Sequence, residues 1–305
     1  MIDLSVKVEK LIKDFDMEVL VEGDKNAEIF VNDINRPGLQ LAGFYNYFAP
    51  ERIQVIGKAE WSFLETMGIE LRKKRINKYC SFNLKCLMIT RDLEPQEELL
   101  KAAEKNKIWL IRTSLVTTKF MSKLTIYLAD KLAPETRIHG VLVDVYGIGI
   151  LITGESGIGK SETALELIKR GHRLVTDDAV DIKEVDGELI GSSPRITIGM
   201  LEVRGIGIID VASLYGLSSV LPEKGIKLLM HFEHWKDDGD YDRLGLNDER
   251  QDILGVKVKK LRVPVRPGRN IAVIIEAAAV NYRHSLMSDV TPVDIIESRM
   301  DKIIE

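Results

Sequence analysis

A glycine-rich segment that ends in a lysine and a serine is the part of the sequence best suited to chemistry. It reads Gly154-Glu155-Ser156-Gly157-Ile158-Gly159-Lys160-Ser161 and fits the phosphate-loop pattern G-x-x-x-x-G-K-[ST]. Glycines allow successive backbone N–H groups to point at phosphate oxygens, and a helix that starts there adds the positive end of its dipole. The pattern predicts a nucleotide-phosphate site made by all eight residues.

Lys160 and Ser161 have separate chemical roles in this prediction. Lys160 supplies a positive charge for the outer phosphates. The Ser161 hydroxyl is placed to join a Mg²⁺ shell, because Mg²⁺ in such sites takes only one or two protein oxygens besides phosphate and water. The alternative is a glycine-rich turn with a solvated lysine. An apolar strand predicted at residues 150–153 and a helix predicted at residues 162–168 favour the phosphate site.

Two adjacent aspartates, Asp177 and Asp178, follow the next predicted strand, at residues 172–176. One carboxylate beside a phosphate loop can help to hold Mg²⁺ or its waters. The other can take a proton from an attacking hydroxyl during phosphoryl transfer. The alternative is that one aspartate caps a turn while the other faces solvent.

Three further segments carry charged residues that suit a phosphate site. Residues 201–210 place Glu202 and Arg204 at the same parity of a possible strand, followed by two close glycines. Residues 241–246 and 263–269 are predicted to be loops that carry arginines. Arginine suits developing phosphoryl charge, although a surface salt bridge is the commoner fate of any one arginine.

Histidines and one basic run are secondary candidates. His139 precedes the first strand of this half of the chain, and a lone histidine is more often structural. His231 and His234 form H-x-x-H, but in a strand they point to opposite faces, which disfavours a zinc site. The basic run at residues 72–75 is predicted to be a solvated helix face, with partner binding as the alternative.

The elements that must position these residues follow an α/β pattern. Apolar residues at helical spacing between Leu4 and Phe15 predict a first helix, and short apolar strands then alternate with helices. Such alternation favours a largely parallel sheet. The predicted strands are residues 53–56, 86–89 and 109–111, and the predicted helices are residues 61–79, 95–106 and 114–132.

A polar stretch at residues 134–137 predicts the boundary between two α/β domains, 1–132 and 133–305. The second domain opens with strands at residues 141–145 and 148–153, and the intervening Tyr146-Gly147 predicts a hairpin. It closes with two helices that begin at Asn270 and Thr291.

Composition excludes several classes of protein. The 305 residues are 45% hydrophobic and 30% charged with a net charge of −4, which is typical of a globular protein and disfavours a nucleic-acid partner. Cys80 and Cys86 indicate two reduced thiols and no disulfide framework. The first 15 residues lack the order of a secretory signal, and Glu276 interrupts the most apolar stretch. A cytoplasmic protein without a membrane partner is expected.

The phosphate loop, Asp177-Asp178, residues 201–210 and residues 264–269 together resemble the HPr kinase/phosphorylase family in order and spacing. Members use ATP, or in many cases pyrophosphate, with Mg²⁺ to phosphorylate a regulatory serine of HPr, a carrier of the sugar phosphotransferase system. They also catalyse phosphorolysis, in which inorganic phosphate attacks the phosphoserine and leaves as pyrophosphate. The resemblance implies a regulator of carbon catabolite repression. It further implies a P-loop core like that of phosphoenolpyruvate carboxykinases, and homo-hexamers.

The resemblance also implies residue roles. The phosphate loop with Lys160 holds phosphate, and Ser161 and Glu202 bind Mg²⁺. Asp178 accepts a proton in the kinase direction and donates it in reverse. His139 and Arg243 complete the catalytic set; residues 201–210 serve both activities and residues 264–269 particularly dephosphorylation.

Two other functions stay open. One is a small-molecule kinase or carboxykinase relative with the same loop. The other is a nucleotide-switched binding module, against which the absence of an N-K-x-D-like motif counts modestly. For the first domain, assembly, ligand sensing and structural support all fit the composition.

Overall fold

A computed structural model of the chain describes residues 4–235, 248–288, 294–296 and 299. The chain divides into two compact units, of which the amino-terminal unit ends at Ala133 and the carboxy-terminal unit begins at Pro134. Both are mixed α/β. Among the described residues, no helix combines the length and the apolarity that crossing a membrane requires.

The amino-terminal unit contains a five-stranded sheet in the order β2-β7-β6-β5-β4. Strands β4 to β7 are parallel, as predicted, and β2 pairs antiparallel at one edge. The elements are β1 (Val6–Lys7), α1 (Val8–Asp14), β2 (Glu18–Val21), β3 (Glu28–Ile29), β4 (Ile34–Asn35), α2 (Gly38–Leu41), β5 (Ile53–Ile56), α3 (Lys58–Glu65), α4 (Ile69–Cys80), β6 (Cys86–Thr90), α5 (Glu97–Lys105), β7 (Trp109–Thr113) and α6 (Thr117–Lys131).

Strands β5 and β6 are buried along their whole length because helices cover both faces of this sheet. On one face, Val55 and Met88 pack with Phe120 of α6. The opposite face carries Ile56 and Leu87. Neighbouring strand residues thus point to opposite cores, as the two-residue period requires. The same two cores bury the thiols of Cys80 and Cys86, respectively on the second and the first face.

Three predictions for this unit need correction. The helix predicted at 61–79 is two helices, because Gly68 takes extended dihedral angles before α4 begins. The first helix begins at Val8 rather than near Leu4, since residues 6–7 pair with β3. Arg72 of the basic run is not solvated: its guanidinium lies 3.7 Å from Glu65 and 3.0 Å from Glu98.

The carboxy-terminal unit is built around a larger mixed sheet. Among the described residues, nine strands join it: seven in the order β11-β9-β10-β16-β13-β12-β8, with β18 paired to β16 and β17 to β18. The elements are β8 (Glu135–His139), β9 (Val141–Val145), β10 (Ile148–Gly154), α7 (Lys160–Lys169), β11 (Arg173–Thr176), β12 (Ala179–Val185), β13 (Glu188–Ser192), β14 (Met200–Val203), β15 (Gly207–Asp210), α8 (Val211–Tyr215), β16 (Glu223–His234), β17 (Arg250–Ile253), β18 (Val256–Val265) and α9 (Ile271–Ser285).

Strands β10, β16 and β18 are parallel neighbours, so their carboxyl ends meet at one edge of the sheet. Helices α7 and α9 pack on one face through a shared apolar core that includes Leu167 and Ile275. In open α/β sheets, ligands bind outside the carboxyl ends of such strands. The phosphate loop follows β10 at this edge.

The predicted hairpin is confirmed, since β9 and β10 pair antiparallel across Tyr146 and Gly147. Both turn residues have positive φ angles, 51° and 85°, as a two-residue hairpin turn requires. Asn270 caps α9 as predicted by accepting a hydrogen bond from the Val273 N–H at 3.2 Å. The start of the last predicted helix, Thr291, lies outside the described residues.

Two predicted loops contain strand residues. Residues 135–137 of the predicted polar boundary belong to β8, whose alternating exposure shows an edge strand that pairs with β12. Residues 263–265 end β18. Among the described residues, β17 pairs with residues 256–259 of β18 and does not reach Pro264, which has no backbone N–H to donate.

Candidate active site

The phosphate loop connects β10, which ends at Gly154, to α7, which begins at Lys160. The strand and helix predicted on either side are thus confirmed. Gly154 has φ 146°, and a Cβ atom there would lie 2.6 Å from the Phe232 carbonyl oxygen. Gly159 has φ 103° and leads directly into α7. The loop therefore needs glycine at both positions.

Lys160 lies inside the loop with only 7% of its surface exposed. Its Nζ donates hydrogen bonds to the carbonyl oxygens of Gly154 and Glu155, at 3.0 and 2.9 Å. Burial lowers the pKa of Lys160, and the nearby carboxylates of Asp177 and Asp178 oppose that shift. A single ammonium group is thereby fixed at the mouth of the loop.

Asp177 joins the phosphate loop to a second segment. It is 5% exposed, and burial raises its pKa. One carboxylate oxygen accepts a hydrogen bond from the Ser161 hydroxyl at 2.9 Å, and the other accepts from the Glu202 N–H at 3.0 Å. Asp177 therefore neither caps a turn nor faces solvent; its two hydrogen bonds connect Ser161 of α7 to the backbone of β14.

Asp178 has different surroundings from its neighbour. Its side chain is 73% exposed, and its Oδ1 lies 3.0 Å from Nδ1 of His139, the last residue of β8. The backbone of Asp178 has φ 68°, and its carbonyl oxygen accepts from the Gly140 N–H at 3.0 Å. The histidine and the carboxylate thus lie together beside the phosphate loop, and both line the same cleft.

Glu202 and Arg204 come from a two-stranded hairpin of β14 and β15. Glu202 is an exposed strand residue, but Arg204 lies in the turn after β14, so the two do not share a strand as predicted. The strand stops at Val203 because the hairpin turns there, with the Ile206 N–H bonded to the Val203 carbonyl. Arg204 Nη2 lies 3.4 Å from Ser156 Oγ, which brings its charge to the phosphate loop.

A cleft of about 100 Å³ collects most of the predicted site residues. Gly154, Glu155 and Ile158 of the phosphate loop do not line it. Ile158 is buried in the core, and Glu155 lies 3.5 Å from His234. Arg243 lies outside the described residues. The lining residues are His139, Ser156, Gly157, Gly159, Lys160, Ser161, Glu162, Asp177, Asp178, Glu202 and Arg204.

The loop after β18 lies at the same sheet edge. The Arg266 guanidinium stacks 4.5 Å from the centre of the Trp235 ring, at the end of β16. Arg269 donates to the Pro264 carbonyl at 2.9 Å. These contacts give both arginines a defined position, and neither forms a salt bridge with a residue that the structure describes.

The two histidines of H-x-x-H have separate partners. His231 Nδ1 lies 3.0 Å from Thr153 Oγ1, whereas His234 contacts Glu155. Burial and the nearby Lys260 lower the pKa of His231. The described part of the chain contains no group of three or more His, Cys, Asp or Glu side chains arranged around one metal position.

The cleft nevertheless fits an ion that is held mainly by phosphate and water. Ser161 and Glu202 present a hydroxyl and a carboxylate oxygen there, and hard oxygen donors suit Mg²⁺. Ser161 uses its proton to bond Asp177, which leaves its oxygen lone pairs for an ion. Such a site needs only one or two protein ligands and no dense carboxylate cluster.

Sequence reasoning placed Asp177 among the candidates but did not identify its task. The signal was present: an aspartate directly after a short apolar strand and beside a second carboxylate. Its two hydrogen-bond partners, however, are 16 and 25 residues away in the chain, so no local pattern could identify them.

Comparisons with known proteins cover almost the whole chain. Residues 130–300 match the family model described as HPr Serine kinase C-terminal domain, and residues 6–128 match HPr Serine kinase N terminus. A protein of Clostridium botulinum (strain Eklund 17B / Type B) named HPr kinase/phosphorylase is 76% identical over 300 residues, which cover 98% of this chain and 99% of that protein.

A second relative with the same name, from Clostridium perfringens (strain SM101 / Type A), is 75% identical over 302 residues, covering 99% of this chain and 98% of that protein. Among solved structures, one titled as the Hpr(Ser) kinase/phosphatase from Coxiella burnetii is 38% identical. It covers 50% of this chain and 93% of that chain, with a TM-score of 0.47.

Proposed function

The chain belongs to the HPr serine kinase family, and from this membership we propose that it phosphorylates a regulatory serine of HPr and removes the phosphate by phosphorolysis. It is an enzyme of the kinase/phosphorylase type. Relatives with that name are about 75% identical over nearly the full length of both chains, which supports HPr as the protein substrate.

The observation that carries the proposal is that residues of the phosphate loop, Asp178 as a base, and the carboxylates of Asp177 and Glu202 lie in one cleft. Lys160 and the loop N–H groups suit phosphate oxygens, and Asp178 with His139 stands beside them. Phosphoryl transfer depends mainly on positioning and on charge stabilisation, which these groups supply whichever oxygen attacks. One site can therefore serve both directions.

Asp178 is proposed as the group that moves the proton. In the kinase direction its carboxylate accepts the proton of the serine hydroxyl as the oxygen attacks the donor phosphate. In the reverse direction, inorganic phosphate attacks the phosphoserine, pyrophosphate forms, and the same carboxyl returns the proton to the serine oxygen. His139, 3.0 Å from Asp178, orients that carboxylate.

Ser161 and Glu202 are proposed to hold Mg²⁺, with Asp177 fixing the position of both. When bound, the ion neutralises charge on the phosphate oxygens. Asp177 acts through its two hydrogen bonds, since it aligns the Ser161 hydroxyl and the β14 backbone at Glu202.

Further parts of the proposal follow from family membership. ATP or pyrophosphate is the donor, Arg243 belongs to the active site, and residues 264–269 contribute particularly to dephosphorylation. The catalytic core is proposed to be like that of phosphoenolpyruvate carboxykinases, in a cytoplasmic homo-hexamer that regulates carbon catabolite repression. The amino-terminal unit is proposed to serve regulation or assembly.

A two-direction assay with purified HPr tests the proposal. Label from γ-phosphate-labelled ATP should appear on a serine of HPr, and added inorganic phosphate should release it as labelled pyrophosphate. Label on a small molecule would instead indicate a metabolite kinase. Nucleotide-dependent binding to HPr without a phosphoprotein product would indicate a binding module.

A further inference from the structure

The hairpin that supplies Glu202 to the cleft also exposes two large apolar side chains. Ile206, in the turn, and Ile208, in β15, are each 73% exposed. The opposite face of the hairpin already packs inward, since Leu201 and Val203 are buried in the core beneath α7. The core of the unit therefore explains why Leu201 and Val203 are apolar. It does not explain why Ile206 and Ile208, on the outer face of the hairpin, are apolar as well.

The strand register places Ile208 next to the cleft. Glu202 and Ile208 are direct partners in the antiparallel pair β14–β15 and therefore point to the same side of the hairpin. Side chains so paired have Cβ atoms about 5 Å apart. Because Glu202 lines the cleft, Ile208 stands at its rim.

The turn brings Ile206 to the same rim. It connects β14 to β15 directly after Arg204, whose guanidinium lies 3.4 Å from Ser156 of the phosphate loop. Exposed apolar residues that cluster beside polar groups commonly mark a site of protein contact. Here they adjoin the place where a protein substrate must present its hydroxyl to Asp178.

We propose that Ile206 and Ile208 form a docking surface for the protein substrate, a folded protein whose acceptor serine lies beside an apolar patch. This inference rests on the proposed function, since it assumes a protein that brings a serine into the cleft. A substrate whose serine oxygen reaches Asp178 covers the cleft mouth, and the register places Ile208 under the covering surface. An apolar contact at this place contributes to the affinity for the unphosphorylated and for the phosphorylated protein alike. Contacts with the phosphate groups cannot do this, because the phosphate moves during the reaction.

The test uses full-length Ile206→Ser and Ile208→Ser with HPr and phosphoserine-HPr. Each variant should raise the KM for both proteins by about tenfold or more, as expected for losing one buried isoleucine contact. The affinity for ATP, measured by calorimetry, should be unchanged, because neither side chain lines the cleft beside the phosphate loop. Ile208→Leu should keep the KM of the unaltered protein, since leucine retains the apolar area and changes only the branching.

Ile126→Ser is the matched control, since Ile126 is 69% exposed on α6 of the amino-terminal unit. It should leave both KM values unchanged. An unchanged KM in Ile206→Ser and Ile208→Ser would overturn the docking surface while the kinase itself stands. If light scattering shows that Ile206→Ser or Ile208→Ser has a different molecular mass in solution from the unaltered protein, the two isoleucines contact a second copy of the chain and the docking surface is overturned. If the unaltered protein transfers no phosphate to HPr, the proposed function fails and the docking surface fails with it.

Discussion

Asp177 and Asp178 are adjacent in sequence, yet their carboxylates have opposite environments. Asp177 is buried, its pKa is raised by that burial, and it has one hydrogen-bond donor on each oxygen. Asp178 is exposed and faces His139. The left-handed backbone of Asp178 separates the two side chains, at φ 68°. Asp177 thus holds two segments of the site together, whereas the carboxylate of Asp178 is exposed in the cleft.

Asp178→Asn should lose kinase and phosphorylase activity together, because the amide cannot accept the serine proton or return it. General acid–base groups typically contribute about 10²- to 10⁴-fold, so both initial rates should fall by that order. Asp186→Asn is a matched control: Asp186 also has a left-handed backbone, at φ 52°, but lies in the turn between β12 and β13. A variant at position 178 that kept the full kinase rate and lost only phosphorolysis would contradict the shared role.

Lys160→Ala should abolish ATP-dependent phosphorylation of HPr and leave the fold intact. The ammonium group is held at the loop by two carbonyl oxygens, and no other described lysine lines the cleft. Lys169→Ala, at the exposed end of the same helix, should retain normal rates. Nucleotide affinity by calorimetry and thermal unfolding together check the result, and full activity in Lys160→Ala would remove the phosphate-site assignment.

At the scale of elements, α9 allows the contribution of a helix N-cap to the free energy of unfolding to be measured. Its side-chain cap is Asn270, whose side-chain oxygen Oδ1 accepts a hydrogen bond from the Val273 N–H. The helix then buries Ile271, Ala272, Ile275 and Ala279 in the core that it shares with α7. Loss of the cap leaves a backbone donor of the first turn without its protein partner.

Asn270→Ala should lower the free energy of unfolding by about 1 kcal/mol, within the range of about 0.5–2 kcal/mol for such caps. Urea unfolding of the full chain, followed by circular dichroism, measures the change. Asn281→Ala, at an exposed position further along α9, should have little effect or slightly stabilise the helix. Equal destabilisation by the two substitutions would show that the capping bond is not the cause.

Local patterns were sufficient for some elements and insufficient for others. The phosphate loop and the Tyr146-Gly147 hairpin carry their own glycines and flanking apolar strands, so the sequence predicted both correctly. β8 was mistaken for a linker because an edge strand with one solvated face has a polar sequence. The break in the helix at Gly68 was missed because its charged flanks continue a helical pattern.

The candidate site shows the same division. The phosphate loop, the Asp177-Asp178 pair and Glu202 were noted from residue type and spacing, and all of them except Gly154, Glu155 and Ile158 line one cleft. The separate roles expected of Asp178 and Glu202 came from the family resemblance. The pairing of His139 with Asp178 depends on β8 lying beside β12, which is a tertiary fact. Likewise the packing of Arg266 on Trp235 depends on the parallel pair β16–β18, whose members are far apart in the chain.

At the scale of the whole molecule, the cleft belongs to the carboxy-terminal unit, whereas both cysteines belong to the amino-terminal unit. Burial raises the pKa of each thiol to about 12. At pH 8 the thiolate fraction is then about 10⁻⁴, compared with about a quarter for an ordinary cysteine. Since the thiolate is the reactive form, the folded unit protects both groups.

Labelling with a chromogenic thiol reagent at pH 8 should therefore be slow in the native protein and rapid for two thiols after denaturation in urea. The urea concentration at which labelling becomes fast should follow the unfolding of the amino-terminal unit. Cys80→Ala should reduce the final count to one without making Cys86 fast. Rapid native labelling of either thiol would contradict the packing of these cores.

The placement of both native thiols in buried cores has a practical consequence for spectroscopy. The carboxy-terminal unit contains no cysteine in its sequence, so one cysteine introduced at an exposed position there becomes the sole accessible attachment point for a fluorophore or spin label. The wild-type background needs no prior removal of its own sulfhydryls, which would create cavities. Distances and local motion near the hairpin of β14 and β15 can thus be followed in the otherwise unaltered chain.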